Sequence, residues 1–474
     1  MKEEEEKEEK ATNLLREENK EKTDEIKDGD DFMGYSHSDK FKLFLFFFII
    51  GIINHLGTIL IMTGGRILAK ELQMEDYLTF YPSSLILFAF ITRLINSKLL
   101  LKVSYNKRVT ILCYTNFIGY FSMFLILLLH NTGILENHSL CYVLSFIPCL
   151  FLGVSYAFGE SSMIAYLRLF PKTLLGGWSS GTGLSGIIGG TLNFLSQLTG
   201  GLSLTFLYIL LSPIGFLYLY LFKLTFEILS SNEQFKSKMK SNPFLELAPI
   251  QDGETEENKE ELSDKNKDLL GINDMDNINK RNKVMSIDNF INVIQNSGKI
   301  ILNLGAIYLL QFFCMNALLV RVCDKENIDF LPNGDKGDPN CAKKGKYEFI
   351  LLFYQLGLFI SKSLIKIVRR IQRVIIYTII IGIINFLFII EYFAGFLGWK
   401  NYIWLSIVMG FLGGAAYSGG FYSILSSNDI EENYKELTVN IASIFNDLGT
   451  FLSGIFGFLG LKYVFTNTKC FNSE

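Results

Sequence analysis

Two carboxylates stand where carboxylates are expensive. Glu160 and Asp447 each lie inside a stretch almost free of other charge. At mid-bilayer such a group costs at least ~2.5–3.5 kcal/mol unless it faces a cavity or a partner. A carboxylate in a half-wet cavity can take a proton on one side and release it on the other, so the pair suits proton coupling. The competing reading is a hydrogen-bonded structural acid, and for Glu160 an interfacial one. Hydroxyls gather nearby: Ser161 and Ser162 follow Glu160, and Ser179, Ser180 and Thr182 stand in the next apolar stretch. Several hydroxyls with freed backbone N–H groups near a helix start suit a phosphate-like head group. Helix packing through small residues is the alternative. Lys362 and Arg321 are cations able to balance a phosphodiester, although a cation near a span end also snorkels to the interface. Asn54, Gln311, Asn316, Tyr354, Gln355 and Tyr417 complete the candidate substrate-binding set, each equally suited to an interhelical hydrogen bond. His55, alone beside Asn54, is not read as a ligand. No Ser/His or paired-Asp catalytic pattern falls at matching depth, so an enzyme is not expected. The seven Cys show no CxxC or Cys/His spacing, so neither a metal nor a cofactor is expected.

Helices in lipid must position these residues. The chain has 474 residues, 49% hydrophobic and 14% aromatic, with 42 Phe, and its mean hydropathy is +0.29. Charge collects in an N-terminal tail, one central segment and short loops, which is the pattern of spans joined by wet connectors. Apolar runs long enough for one crossing fall at 43–65, 78–97, 109–130, 140–165, 174–199, 203–226, 299–321, 347–366, 373–396, 401–424 and 437–461. This is an all-α polytopic membrane protein with about eleven transmembrane helices. Six belong to a half spanning residues 41–226 and five to a half spanning 299–462. Residues 1–40 read as a disordered acidic cytosolic tail rather than a signal peptide, because they have no apolar core before a small-residue cleavage site. Residues 227–298 read as a disordered cytosolic linker and 463–474 as a tail. A net charge of −3 offers no footprint for nucleic acid. The expected partners are the bilayer, a small organic solute and protons.

Orientation follows from Lys and Arg in short loops. Lys98, Lys102, Lys107 and Arg108 follow the second span, and Lys366, Arg369, Arg370 and Arg373 follow the eighth. The N-terminus is therefore expected in the cytosol. The sequon Asn137-His138-Ser139 then faces the lumen, where Asn137 is a glycosylation site. Segment 322–346 dissents, being Lys-rich yet luminal; its Cys323 and Cys341 form either a disulfide or two free thiols.

An internal repeat is visible. Gly181-Thr182-Gly183-Leu184-Ser185-Gly186-Ile187-Ile188-Gly189 and Gly449-Thr450-Phe451-Leu452-Ser453-Gly454-Ile455-Phe456-Gly457 match at seven of nine positions. Gly153-Val154-Ser155-Tyr156 and Gly414-Ala415-Ala416-Tyr417 echo each other in the preceding spans. Recurrence of small residues at helix contacts is the bland account. The offset of six helices instead fits the parallel repeats of the major facilitator plan. The repeat sets Ser179 and Asp447 at equivalent depths, Asp447 ~15 Å into its helix at 1.5 Å per residue. It also suggests that Glu160-Ser161-Ser162 and Ser179-Ser180 meet across one hairpin.

Gly159-Glu160-Ser161-Ser162, Phe170-Pro171 and Trp178-Ser179-Ser180-Gly181-Thr182-Gly183 resemble the signature of the battenin family, lysosomal or vacuolar membrane proteins linked to juvenile neuronal ceroid lipofuscinosis. Tyr354-Gln355, Gly357, Phe359 and Ser361-Lys362-Ser363, then Leu412-Gly413-Gly414-Ala415-Ala416-Tyr417, then Asp447, Gly449 and Ser453-Gly454, resemble its later spans. The likeness covers roughly residues 41–461. It implies a major-facilitator-like fold in two pseudo-symmetric halves, a lysosomal or vacuolar location, and a role in lysosomal pH and small-solute homeostasis. Glycerophosphodiesters are the favoured solutes, and basic amino acids have been associated with fungal members. Departures are Gly65-Arg66 where battenins often carry His-Asp, Gln311 where a carboxylate is usual, and Lys362 for an Arg. Cys470 has four residues after it and so makes no prenylation box. The missing carboxylate slightly favours a second class, a membrane scaffold or trafficking regulator with a degenerate transporter body.

Overall fold

The computed structural model describes residues 35–74, 77, 80–96, 105–167, 172–197, 203–231, 287–319, 346–364, 374–394, 396–397, 399–427, 430 and 432–464. Arg321, the Cys323/Cys341 pair, the side chain of Asn316 and most of the expected tails and linker lie outside the described residues. Among the described residues the regular structure is helical and no strand occurs. The helices are α1 (His37–Glu71), α2 (Phe80–Asn96), α3 (Tyr105–Asn131), α4 (His138–Leu144 and Phe146–Leu167), α5 (Lys172–Gln197), α6 (Leu204–Leu211 and Ile214–Ser230), α7 (Ile287–Phe313), α8 (Lys346–Ser363), α9 (Val374–Ala394), α10 (Trp399–Ser426) and α11 (Glu432–Leu459). Seven described helices are long and apolar enough to cross a membrane by length and composition, and three shorter apolar ones accompany them. The Gly- and Ser-rich α5 falls in neither group.

Local chemistry sets the ends and breaks. Ser36 caps α1: its hydroxyl accepts from Asp39 N at 3.1 Å and donates to the Asp39 carboxylate at 2.8 Å. The helix thus starts inside the stretch expected to be tail. At 35 residues it is ~52 Å long, well beyond the ~30 Å hydrocarbon layer. The breaks in α4 and α6 come at Ser145 and at Ser212-Pro213, each with a proline at or just inside the following helical piece. Proline lacks an N–H and is tolerated only in a first turn. A π-turn, Cys314–Leu318, ends α7.

Lipid offers no hydrophobic drive between helices, so close backbone approach decides the pairing. A Cβ on Gly51 of α1 would fall 2.5 Å from Trp178 O of α5, and one on Gly181 would strike Phe48 O in return. Six helices later, a Cβ on Gly305 of α7 would lie 3.1 Å from Phe445 O of α11, and Gly449 abuts Gly305 O. Likewise Gly153 of α4 rests on Leu85 O of α2, while Gly410 of α10 rests on Tyr354 O of α8. These glycines, Gly153, Gly181 and Gly449 of the repeated motifs among them, therefore make the same helix pairings in both sets. The core divides accordingly, with two clusters drawn from residues 43–229 and one from residues 301–442 joined by Ile164. Between the sets, α2 packs on α11 and α5 on α8. Outward faces stay apolar: Ile375, Ile379, Ile383 and Phe386 form an exposed stripe on α9, and Trp404 is 66% exposed. Such a belt suits acyl chains rather than water.

Candidate functional site

The centre of the polar interior is Arg93, near the C-terminal end of α2 and 2% exposed. Its Nε donates to Asp447 Oδ2 at 2.7 Å, its Nη2 to Glu160 Oε2 at 2.5 Å and its Nη1 to Ser161 Oγ at 3.2 Å. The guanidinium also lies 5.3 Å from the centroid of the Tyr156 ring. Two buried carboxylates are tenable here because one planar, permanently charged fork serves both. Tyr417 OH of α10 donates to the other oxygen of Glu160. Lys362 Nζ of α8 sits 4.5 Å over the Tyr417 ring and donates to Thr182 Oγ1 of α5 at 3.1 Å. A single chain thus runs Asp447, Arg93, Glu160, Tyr417, Lys362, Thr182. It passes between the two sets of helices three times. His55 of α1 joins from the side, its Nε2 3.8 Å from Glu160 Oε1.

This chain borders a cavity of about 90 Å³. That is room for roughly six waters at ~15 Å³ each. Its wall includes His55 and Thr58 (α1), Tyr156 (α4), Thr182 (α5), Tyr308 and Gln311 (α7), Tyr354, Gln355 and Lys362 (α8), Tyr417 (α10), and Asp447 and Thr450 (α11). Lys362 is the one Lys or Arg in that wall, and among the described residues no carboxylate lies within 4.0 Å of it. Thr58 Oγ1 and Gln355 Oε1 are buried there without a hydrogen-bond partner among the described residues. Buried polar atoms are ordinarily satisfied, and Gln355 Oε1 lies against Gly186 of α5, where a Cβ would strike it.

Of the expected site residues, Thr182, Gln311, Tyr354, Gln355, Lys362, Tyr417 and Asp447 line the cavity. Glu160, Asn54, Ser161, Ser162, Ser179 and Ser180 do not. Glu160 and Ser161 sit behind the wall on Arg93. Asn54 donates to Tyr156 O at 3.3 Å and acts between helices. Ser162 is buried with no described partner, and Ser180 is half-buried. The expected meeting of Glu160-Ser161-Ser162 with Ser179-Ser180 is corrected. Ser179 Oγ lies 3.5 Å from Ser418 Oγ of α10, because α5 lays its glycine face on α1 and its other side on α8, with little of α4 alongside. Asn137 is exposed and caps α4, accepting from Leu140 N at 3.0 Å. Sequence reasoning missed Arg93, whose place near the end of an apolar run reads as snorkelling. Charge counting is the signal that would have found it, since two intramembrane carboxylates demand cations. It also passed over His55, Tyr156 and Tyr308, whose types alone do not separate cavity from core.

The sequence model of the family described as CLN3 protein matches residues 45–465. A relative named Battenin from Dictyostelium discoideum is 25% identical over 382 residues, covering 78% of this chain and 82% of the relative. Protein BTN1 from Candida glabrata is 26% identical over 445 residues, covering 91% and 97%. Among solved structures, a D-xylose-proton symporter is similar at a TM-score of 0.56 and 11% identity over 91% of this chain and 93% of that one. A bacterial homologue of the iron transporter ferroportin in an outward-facing state is similar at 0.53 and 11% identity over 91% and 94%. At such identity these two speak for the fold alone, which is the major-facilitator-like fold of transporters.

Proposed function

The chain belongs to the CLN3 protein family, and on that premise we propose that it carries small organic solutes, glycerophosphodiesters foremost, across a lysosomal or vacuolar membrane and so supports lysosomal pH homeostasis. In this reading the N-terminus is cytosolic and Asn137 carries a luminal glycan. One observation carries the proposal: a cavity between the two sets of helices, apolar over most of its wall, with Lys362 in that wall and no carboxylate within 4.0 Å of it among the described residues. A buried ammonium with no carboxylate in contact is costly, and a monoanionic phosphodiester would set an anion against it. Thr182 donates to Ser179 O at 2.8 Å and accepts from Lys362 at 3.1 Å, so it orients the ammonium that would meet the anion. Asp447 and Glu160 are the candidate proton-coupling pair. The cavity is smaller than the ~300 Å³ at which ligand pockets begin, so the solute enters when the helix sets rock apart, as alternating access requires.

A scaffold role draws support from Gln311 alone. Basic amino acids suit the wall less well, because Lys362 would repel them and Asp447 is engaged by Arg93. The deciding experiment is uptake into proteoliposomes across a pH gradient, with glycerophosphodiesters in one arm and lysine in the other. Wild type should move the phosphodiester, while Asp447→Asn and Glu160→Gln lose the dependence on the gradient. Flux that ignores the gradient in all three proteins removes the coupling assignment. Uptake of lysine alone replaces the solute class.

A further inference from the structure

Arg93 is held unequally by its neighbours. Glu160, Ser161 and the Tyr156 ring all lie on α4, which is in the same set of helices as α2. Among the described residues only the bond from Nε to Asp447 crosses to the other set. A guanidinium stays charged at every pH a cell offers, so Arg93 cannot release the pair itself. Asp447 can, because it lines the cavity while Arg93 and Glu160 sit behind the wall. From Arg93 toward the start of α2 the described α2–α11 contacts are uncharged: Ser83 fills the space a Cβ on Gly454 would take, and the rings of Phe80 and Phe458 lie 5.2 Å apart. Among the described residues Arg93–Asp447 is therefore the seam's one ion pair. The titratable groups around Asp447 are Arg93 on α2, Glu160 and Tyr156 on α4, Tyr308 on α7, and Tyr417 on α10 through Glu160.

We propose that Arg93 latches α2 to α11 and that the charge on Asp447 sets the latch. A proton delivered from the cavity to the Asp447 carboxylate leaves Arg93 to Glu160, and the two sets of helices part at this seam. The idea rests on the carrier reading and divides the carboxylates' labour: Asp447 senses, and Glu160 retains the guanidinium. Charge counting supports the coupling. Arg93 and Lys362 balance Glu160 and Asp447, so one added proton leaves one positive charge in excess, which one monoanionic solute at Lys362 cancels.

Hydrogen–deuterium exchange of the full-length protein in nanodiscs, at one fixed pH and without solute, tests the latch. Asp447→Asn removes the charge and keeps the shape. Exchange in α2 and in α11 around residues 447–454 should rise roughly tenfold to a hundredfold, the ~1.5–3 kcal/mol of a charge-assisted bond at ~1.4 kcal/mol per factor of ten, with α5 and α8 unchanged. Arg93→Lys keeps the charge but loses the fork, and should give the same pattern. The double variant should add nothing further, and Glu160→Gln should leave the seam protected. Unchanged exchange in Asp447→Asn overturns the latch. So do additive effects in the double variant, or a rise spread over all helices, either of which makes Arg93 a structural ion only. If Asp447→Asn yields no folded protein, the contrast between Arg93→Lys and Glu160→Gln decides. A seam that opens in a protein showing no solute flux would sink the carrier reading and leave the latch standing.

Discussion

Replacing Lys362 by Met separates binding from stability, because the structure gives opposite expectations for the two. Lys362 is 6% exposed, and its described partners are the Thr182 hydroxyl at 3.1 Å and the Tyr417 ring face at 4.5 Å. Those contacts return ~1.5–3 kcal/mol for a hydrogen bond from a charged donor and ~2 kcal/mol for a desolvated cation–π contact. Against them stands a burial penalty of several kcal/mol for the ammonium. The terms nearly cancel, and Met keeps the stem while discarding the charge. Thermal unfolding in detergent or nanodiscs should therefore shift by no more than the equivalent of ~2 kcal/mol in either direction, the size typical of volume-conserving changes. Transport should behave otherwise. A phosphodiester that loses its one cation in the wall loses ~1.5–3 kcal/mol of binding, which is about a tenfold to hundredfold rise in KM. The assay is initial-rate uptake of a glycerophosphodiester into proteoliposomes over a range of concentrations, with unfolding followed on the same preparations. A folded Lys362→Met protein whose KM stays within about twofold of wild type would refute the reasoning. So would a variant that loses more than ~3 kcal/mol of stability, since the lysine would then be a structural group.

Arg93→Met leaves two buried carboxylates without a cation and should cost ~3–5 kcal/mol in chemical or thermal unfolding. Adding Asp447→Asn should recover at least ~1 kcal/mol of that loss, a coupling that strict additivity would deny. Gly181→Leu forces a side chain into Phe48 O across the α1–α5 contact and should abolish monodisperse protein in size-exclusion chromatography, whereas Gly176→Ala meets nothing within 4 Å and should leave the profile unchanged. Asn137→Gln should remove an endoglycosidase-sensitive mobility shift; the Asn137 Oδ1 that caps α4 stays free when a glycan occupies the nitrogen, so cap and glycan are compatible. Uptake driven by a pH gradient should be indifferent to an imposed membrane potential, as one proton with one monoanion moves no net charge.

Much of this protein is written locally. The apolar runs dictated helices, because a backbone in lipid must satisfy its own hydrogen bonds. The two glycine motifs foretold that α5 and α11 play matching parts, since Gly181 and Gly449 admit a neighbour's carbonyl where a Cβ would clash. Asp447, Lys362, Thr182 and Tyr417 were conspicuous as polar groups in apolar company, and all four border the cavity. The tertiary structure alone decided which polar groups share that space. Tyr156 and Glu160, four residues apart, share one face of α4 and both meet Arg93, yet Tyr156 also reaches the cavity while Glu160 ends behind its wall. The Arg93–Asp447 bond joins residues 354 positions apart. No periodicity or spacing reaches that far. A partner across the bundle is set by how two helices rotate and dock, and that orientation is a property of the packed whole.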